Sequence, residues 1–161
     1  MKLQHKSLVF FFSLLISTFS FAQKKVTSPA ETVTGKINGA TITIKYGSPS
    51  VKGRAIWGAL VPYDKVWRAG ANDATTFETD KTITIEGKQL PAGKYSFFVI
   101  PNENESIIIF NKEAKQWGSY DYKASSDQLR VTVKNENGDA LVEKLEYKIM
   151  ETRIELLWEK L

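Results

Sequence analysis

The sequence contains no cysteine, and its single histidine is His5, close to the N-terminus. Without cysteine the chain can form no disulfide, so an exported domain must be held together by burial alone. A Ser-His-Asp or Cys-His mechanism and a zinc site of the usual nitrogen and sulfur ligands both need side chains that are missing after residue 5. We therefore expect no enzyme, and a hydrolase that uses carboxylates alone remains as a remote catalytic alternative.

Metal and cofactor motifs are also missing. Calcium in a dedicated loop would require alternating acidic residues and a glycine at a fixed spacing, and no segment of the chain has this pattern. We expect neither a metal site nor a cofactor.

Residues 1–22 have the pattern of a secretory signal peptide. A short basic start is followed by an apolar run from Leu8 to Ile16. The small residues Ser20 and Ala22 then suit cleavage before Gln23. The rival interpretation is a membrane anchor, but the apolar run is shorter than the roughly 20 residues that span a bilayer. We expect export to the periplasm or the exterior, with no membrane insertion after cleavage.

Cleavage leaves a chain of suitable length for one domain. Residues 23–31 are polar and contain a proline, which predicts a flexible tether, and residues 32–161 are predicted to form a single domain. The chain has 22 basic and 18 acidic residues, and two of the lysines lie in the signal peptide. Because the remaining charges nearly balance and the basic residues are scattered, we expect no nucleic-acid partner.

The domain is dominated by apolar residues that alternate with polar ones, as half-buried strands require. "ATITIKY" follows Asn38-Gly39, a pair typical of tight type I′ hairpins. The C-terminal residues 138–161 have helix-forming composition, but Leu145, Tyr147 and Ile149 fall on one face of a strand, and we favour strands there. The pattern predicts an all-β antiparallel sandwich, jelly-roll-like or Ig-like in topology, with about nine strands and no long helix.

Three segments carry a family resemblance: "SPSVKGRAIWGALVPYDKVWRAGANDATTF", "LPAGKYSFFVIP" and "NKEAKQWGSYDY". In this order they resemble the bacterial secreted family known as domain of unknown function 2911. Two departures are mild: members commonly have Thr where this chain has Ala69, and Glu where it has Asp73. The resemblance implies an exported all-β domain. The family has no established activity, so it supplies no catalytic residues.

The first of these segments has neither helical nor strand periodicity, yet it is rich in aromatic and polar side chains. Aromatic rings combine a large contact area with a polar edge, and arginine offers a fork for a carboxylate or a diol. A second aromatic group lies in "QWGSYDY" and could close over the first. The predicted ligand-binding residues are Arg54, Trp57, Tyr63, Trp67, Arg68, Asn72, Asp73, Trp117 and Tyr120.

Two interpretations of these residues stay open. In the first, the protein is an exported non-catalytic binding module for a carbohydrate or another small envelope ligand. In the second, the rings of Trp57 and Trp67 fill the core, and Arg68 pairs with Asp64 to hold the loop. The chain would then be a structural or interaction domain that pairs with an envelope protein through an edge strand.

Overall fold

The computed structural model describes residues 27–161, so the predicted signal peptide, residues 1–22, lies outside the described residues. Within the described part, no helix is long and apolar enough to span a membrane. The strands are β1 (Ala30–Ile37), β2 (Ala40–Gly47), β3 (Thr76–Thr79), β4 (Ile83–Ile85), β5 (Lys88–Leu90), β6 (Gly93–Pro101), β7 (Glu105–Asn111), β8 (Asp127–Lys134), β9 (Val142–Ile149) and β10 (Ile154–Glu159), with one 3₁₀ turn at Ala124–Ser126.

The first hairpin has the predicted geometry. Asn38 and Gly39 have φ values of 48° and 78°, both in the left-handed region that a type I′ turn needs, and Ile37 pairs with Ala40 on either side of them. β1 begins at Ala30, so the sheet includes the last two residues of the predicted tether.

Six strands form one antiparallel sheet in the order β1-β2-β3-β6-β7-β8. The remaining strands pair two by two, β4 with β5 and β9 with β10. The prediction of an all-β sandwich is confirmed. The strands of the large sheet follow one another in chain order, apart from the β4–β5 hairpin, so the sheet is a meander. The expected jelly-roll-like or Ig-like connections are not found in this sheet. Short turns place consecutive strands side by side, and this favours the meander.

The segment between β2 and β3 joins the large sheet at one point. The Trp67 N–H donates to the carbonyl of Val99 at 2.8 Å, and the Val99 N–H donates back to Trp67 at 2.9 Å. Trp67 therefore occupies a strand position beside β6. Because neighbouring side chains in extended backbone point to opposite faces, Val66 and Arg68 face away from Trp67.

The β9–β10 hairpin packs on part of the inner face of the large sheet. It confirms the expected strands, and not a helix, in the C-terminal segment. The Val51 N–H donates to Glu143 and the Leu145 N–H donates to Pro49, so β9 is also tied to the start of the long loop. Gly35 of β1 allows the hairpin to approach closely, since a Cβ there would lie 2.6 Å from Cγ2 of Ile149.

The core between the two layers is rich in aromatic rings. Phe110 lies edge-on to Phe77 and Phe97, with ring centroids 5.0 Å and 5.4 Å apart. Three further rings form what we call the tryptophan triad. Trp67 stacks on Trp158 at 6.0 Å and 14°, and Trp57 lies edge-on to both of them. The outer face of the sheet carries a second, smaller cluster of Ala74, Phe98 and Ile109, against which Val66 and Tyr122 pack.

Replacing Trp158 with alanine should lower the free energy of unfolding by about 3–5 kcal/mol, because the ring is 1% exposed and packs against both other members of the triad. Urea unfolding measures the loss. The matched control is Trp117→Ala, which removes an indole that is 60% exposed and should cost less than about 0.5 kcal/mol. Equal losses in the two variants would contradict this description of the core.

Candidate functional site

The structure divides the predicted site residues into three groups. One group lies in the core, one forms a patch on the outer face, and one is engaged in local contacts elsewhere in the long loop. The groups are Trp57 and Trp67; Arg68, Asn72, Asp73, Trp117 and Tyr120; and Arg54 and Tyr63.

Trp57 and Trp67 belong to the tryptophan triad and pack against the main core cluster. Their rings are only partly buried, but they face the space between the two layers. Arg68 follows Trp67 directly and points to the other face of the sheet. The two tryptophans therefore do not form a common platform with Arg68.

Arg54 and Tyr63 have local partners. Arg54 Nε donates to the carbonyl of Val51 at 3.0 Å, and its Nη2 donates to the carbonyl of Ser50 at 2.5 Å. The guanidinium therefore stabilises the turn to which Arg54 belongs. The Tyr63 ring lies against Gly58, where an added Cβ would be 2.7 Å from Cε2 of the ring. Neither side chain is placed with the outer-face residues.

The remaining residues form one surface, which we call the Arg68 patch: Arg68, Asn72, Asp73, Trp117 and Tyr120. Two segments of the chain run side by side to build it. Asp73 and Trp117 form an antiparallel bridge, the Ala74 N–H donates to Gln116 at 3.0 Å, and the Gly118 N–H donates to Asn72 at 3.2 Å.

Gly118 lies at the centre of the Arg68 patch. Its φ is 64°, and a Cβ at this position would lie 2.9 Å from Cε2 of Tyr120 and 3.9 Å from Nη1 of Arg68. The absence of a side chain there lets the Tyr120 ring and the guanidinium approach the same point. The segment with Trp117 and Tyr120 thus lies beside Arg68, whereas it was expected to close over the first aromatic group.

Both rings of the Arg68 patch are open to solvent. Trp117 is 60% exposed and Tyr120 is 82% exposed. They are the only aromatic side chains among the exposed large hydrophobic residues in the part of the chain that the structure describes. Large aromatic side chains are usually well buried, so two exposed rings three residues apart are unusual.

Arg68 has an unsatisfied hydrogen-bonding group. Its Nε is buried and has no hydrogen-bond partner. The expected pairing with Asp64 is not among the ion pairs of residues 27–161, and Oδ1 of Asp64 accepts a hydrogen bond from Asn102 Nδ2 at 2.8 Å. A buried donor without an acceptor is costly, and more so when it is part of a charged group. The guanidinium thus lacks an acceptor at the place where the two rings are exposed.

The loop that carries Arg68 is held in place by the core. The buried carbonyl of Ala69 accepts hydrogen bonds from Thr75 Oγ1 at 2.9 Å and from the Tyr147 hydroxyl of β9 at 2.7 Å. Ala69 and Asn72 have positive φ values of 53° and 65°. Such backbone conformations cost energy in residues other than glycine and persist only where the surroundings enforce them.

Sequence reasoning missed two contributors to the Arg68 patch. Gln116 supplies the carbonyl that binds Ala74, and its own Oε1 is buried without a hydrogen-bond partner. Tyr147 is separated from the loop by about half the chain, so no local pattern could show that it holds Ala69. The glycine in "QWG" was the available indication at Gly118, since glycine is favoured where φ is positive.

A second set of polar side chains lies near the Arg68 patch in sequence, but its members form hydrogen bonds with one another. The Tyr122 hydroxyl donates to Oδ2 of Asp127 at 2.7 Å, and Arg130 contacts both the Asp127 carboxylate and the Tyr122 oxygen. Burial is the main cause that raises the pKa of Tyr122, and the Asp127 hydrogen bond adds to it. Among residues 27–161 no group of three or more potential metal ligands is found.

Replacing Tyr147 with phenylalanine should cost about 1 kcal/mol at neutral pH, since the hydroxyl that holds Ala69 is lost. It should also weaken the alkaline loss of stability. Burial raises the pKa of Tyr147 well above its usual value. Its contribution is therefore complete below about pH 10 and is lost as the pH rises through the higher folded pKa.

Urea unfolding at about pH 8 and about pH 10.5 measures both effects. Some loss of stability at high pH should remain in the Tyr147→Phe variant, because burial also raises the pKa of Tyr46 and Tyr95. Tyr120→Phe is the control and should match the parent at both pH values, as its ring is 82% exposed. An unchanged pH dependence in Tyr147→Phe would contradict the assignment.

Comparison with known proteins adds one finding. Residues 28–161 match the model of a family described as "Protein of unknown function (DUF2911)". Searches of curated proteins and of solved structures found no match. The matched range begins just before β1 and continues to Leu161, so it includes the whole sandwich and the Arg68 patch. The chain therefore belongs to the DUF2911 family.

Proposed function

We propose that the protein is an exported, non-catalytic binding module whose Arg68 patch holds a carbohydrate or another small envelope molecule. The observation that carries this proposal is the Arg68 guanidinium: its Nη1 and the exposed Tyr120 ring both lie next to Gly118, whose neighbour Trp117 is exposed as well. A ligand oxygen would accept from the terminal nitrogens of this guanidinium, which are not among its buried atoms.

The chemistry of the patch suits a sugar with a carboxylate or a diol. The Trp117 and Tyr120 rings offer apolar faces on which the C–H face of a sugar ring can pack. The Arg68 guanidinium offers a planar fork to paired oxygens, and the exposed Asp73 carboxylate can accept from hydroxyl groups. None of these contacts requires a group that titrates near neutral pH.

The patch is also prepared for binding. Asn72 is tied through its side-chain amide to the carbonyl of Ser28 at 3.2 Å, and its own carbonyl accepts from Gly118. Ala71 donates to Gly47 of β2 at 3.2 Å. A loop that is already ordered loses less conformational entropy when a ligand binds, so more of the contact energy remains as affinity.

The proposed location rests on the first residues of the sequence. The basic start, the apolar run and the small residues before Gln23 support export through a signal peptide. Such a module would work in the periplasm or outside the cell, where envelope saccharides are found.

A second candidate function rests on β10. This strand pairs only with β9 in the described part of the chain, so its other edge is available to a partner strand. In this alternative the protein is an interaction domain that pairs with an envelope protein through β10.

Arg68→Ala and Trp117→Ala should each remove ligand binding while leaving the fold intact. The measurement is thermal unfolding of the purified protein against a panel of acidic and neutral envelope saccharides and peptidoglycan fragments. A ligand at a hundredfold excess over Kd should stabilise the parent protein by about 2.7 kcal/mol, and neither variant should respond. Arg54→Ala is the control, because Arg54 binds only its own turn and should leave the response unchanged.

Arg68→Lys refines this test. Lysine keeps the charge but loses the fork, so a ligand bound through paired oxygens should bind it much more weakly than it binds the parent. If no saccharide stabilises the parent, or if Arg54→Ala loses the response as fully as Arg68→Ala, the Arg68 patch is not the site. A pull-down in which a partner is lost on substitution of β10 would then favour the interaction domain.

A further inference from the structure

The two layers of the sandwich do not close on each other. Between them lies a cavity of about 1180 Å³, open to solvent, with walls formed by the inner face of the large sheet and by β10. Its wall includes Ile83, Ile108, Val133, Ile154 and Leu156. Trp57 and Trp67 of the triad line the same cavity.

The reason for the opening is a difference in strand number. The large sheet has six strands, whereas the two hairpins on its inner face, β9–β10 and the short β4–β5, have two strands each. Residues under the hairpins are sealed: Ile42 and Ile44 are 0% and 1% exposed. The apolar side chains that lie beyond the hairpins, such as Ile108 and Val133, stay partly exposed although they face inward.

Apolar side chains in the wall of this open cavity face water, so covering them with hydrocarbon is favourable in proportion to the apolar area that is covered. The cavity also lies at or above the size of pockets that hold small molecules, about 300–1,000 Å³. Aliphatic side chains from four different strands make up the larger part of its wall, with polar residues such as Ser106 and Thr132 among them. Such a wall favours a flexible hydrocarbon chain, which can adapt to an irregular cavity.

The rim of the cavity is polar. Lys134 and Lys160 lie there, and neither takes part in an ion pair found among residues 27–161, whereas Arg153 is paired with Glu155. Glu105 and Glu136 are also at the rim. A carboxylate buried among the aliphatic walls would be heavily penalised, so an anionic head group belongs outside, beside the two lysines.

We propose that this cavity binds a free long-chain fatty acid, with the hydrocarbon chain between the sheets and the carboxylate at Lys134 and Lys160. This site is separate from the Arg68 patch, because the two lie on opposite faces of the large sheet. The bound chain replaces the strands that the smaller layer lacks and covers the partly exposed residues of β4, β7, β8 and β10.

The first test is titration of the purified protein with cis-parinarate, a fluorescent polyene fatty acid. Trp57 and Trp67 line the cavity, so excitation of tryptophan should transfer energy to the bound polyene. We expect saturable binding of one molecule per chain in the micromolar range. Palmitate should displace the probe and butyrate should not, since a short chain fills little of the cavity.

Two variants test the place of binding. Val133→Phe and Leu156→Phe add volume inside the cavity and should each weaken cis-parinarate binding at least about tenfold. The matched control is Gln128→Phe, which adds the same ring to an exposed position on β8 that does not line the cavity. Circular dichroism shows whether each variant is folded. If only one of the two filling variants folds, that variant alone tests the place of binding.

A further pair of measurements tests the head group. The double variant Lys134→Gln/Lys160→Gln should weaken the binding of palmitate and leave that of methyl palmitate unchanged. Arg68→Ala should bind cis-parinarate like the parent, so a failure at this site is distinguishable from a failure of the saccharide proposal.

Three results would overturn the inference. One is the absence of saturable energy transfer to cis-parinarate in the parent protein. Another is binding that both filling variants leave unaltered. The third is a dimer that forms without fatty acid and dissociates on Val133→Phe, because the occupant of the cavity would then be a second copy of the chain.

Discussion

The backbone pairing of Trp67 with Val99 decides the arrangement of the rest of the molecule. Two hydrogen bonds place one residue of a long irregular segment in a strand position beside β6. Strand geometry then assigns each neighbour to a face: Trp67 turns inward to stack on Trp158, and Arg68 turns outward. A shift of one residue would reverse both assignments, placing a guanidinium in the aromatic core and an indole at the surface.

The pairing also explains why the molecule offers two distinct surfaces. On the outer face, the loop after Trp67 is held by Ala69 and meets the segment around Gly118, which creates a polar patch with two exposed rings. On the inner face, the large sheet extends beyond the two short hairpins and leaves an apolar cavity. The outer side suits directional hydrogen bonds, whereas the aliphatic part of the inner side suits dispersion and the burial of hydrocarbon.

Much of the fold could be predicted from local pattern. The Asn38-Gly39 hairpin, the alternation along β2 and β6, and the choice of strands for the C-terminal segment all follow from period and turn chemistry, and all are confirmed. β5 was missed because a strand of three residues is too short to show alternation. The candidate site was harder to predict: its residues were grouped by their nearness in sequence, and this placed Trp57 and Trp67 with Arg68 although the sheet separates them.

The sequence by itself determined an all-β chain of the DUF2911 family, with strands where apolar and polar residues alternate and with a loop rich in aromatic and charged side chains. These properties depend on residues that are close in sequence, so composition and the spacing of apolar residues are enough to predict them. Only the tertiary structure decided that Tyr147 holds Ala69, that Arg68 does not pair with Asp64, and that two short hairpins leave part of a six-stranded sheet uncovered. Each of these depends on contacts between distant segments, and their register follows from packing of the whole core.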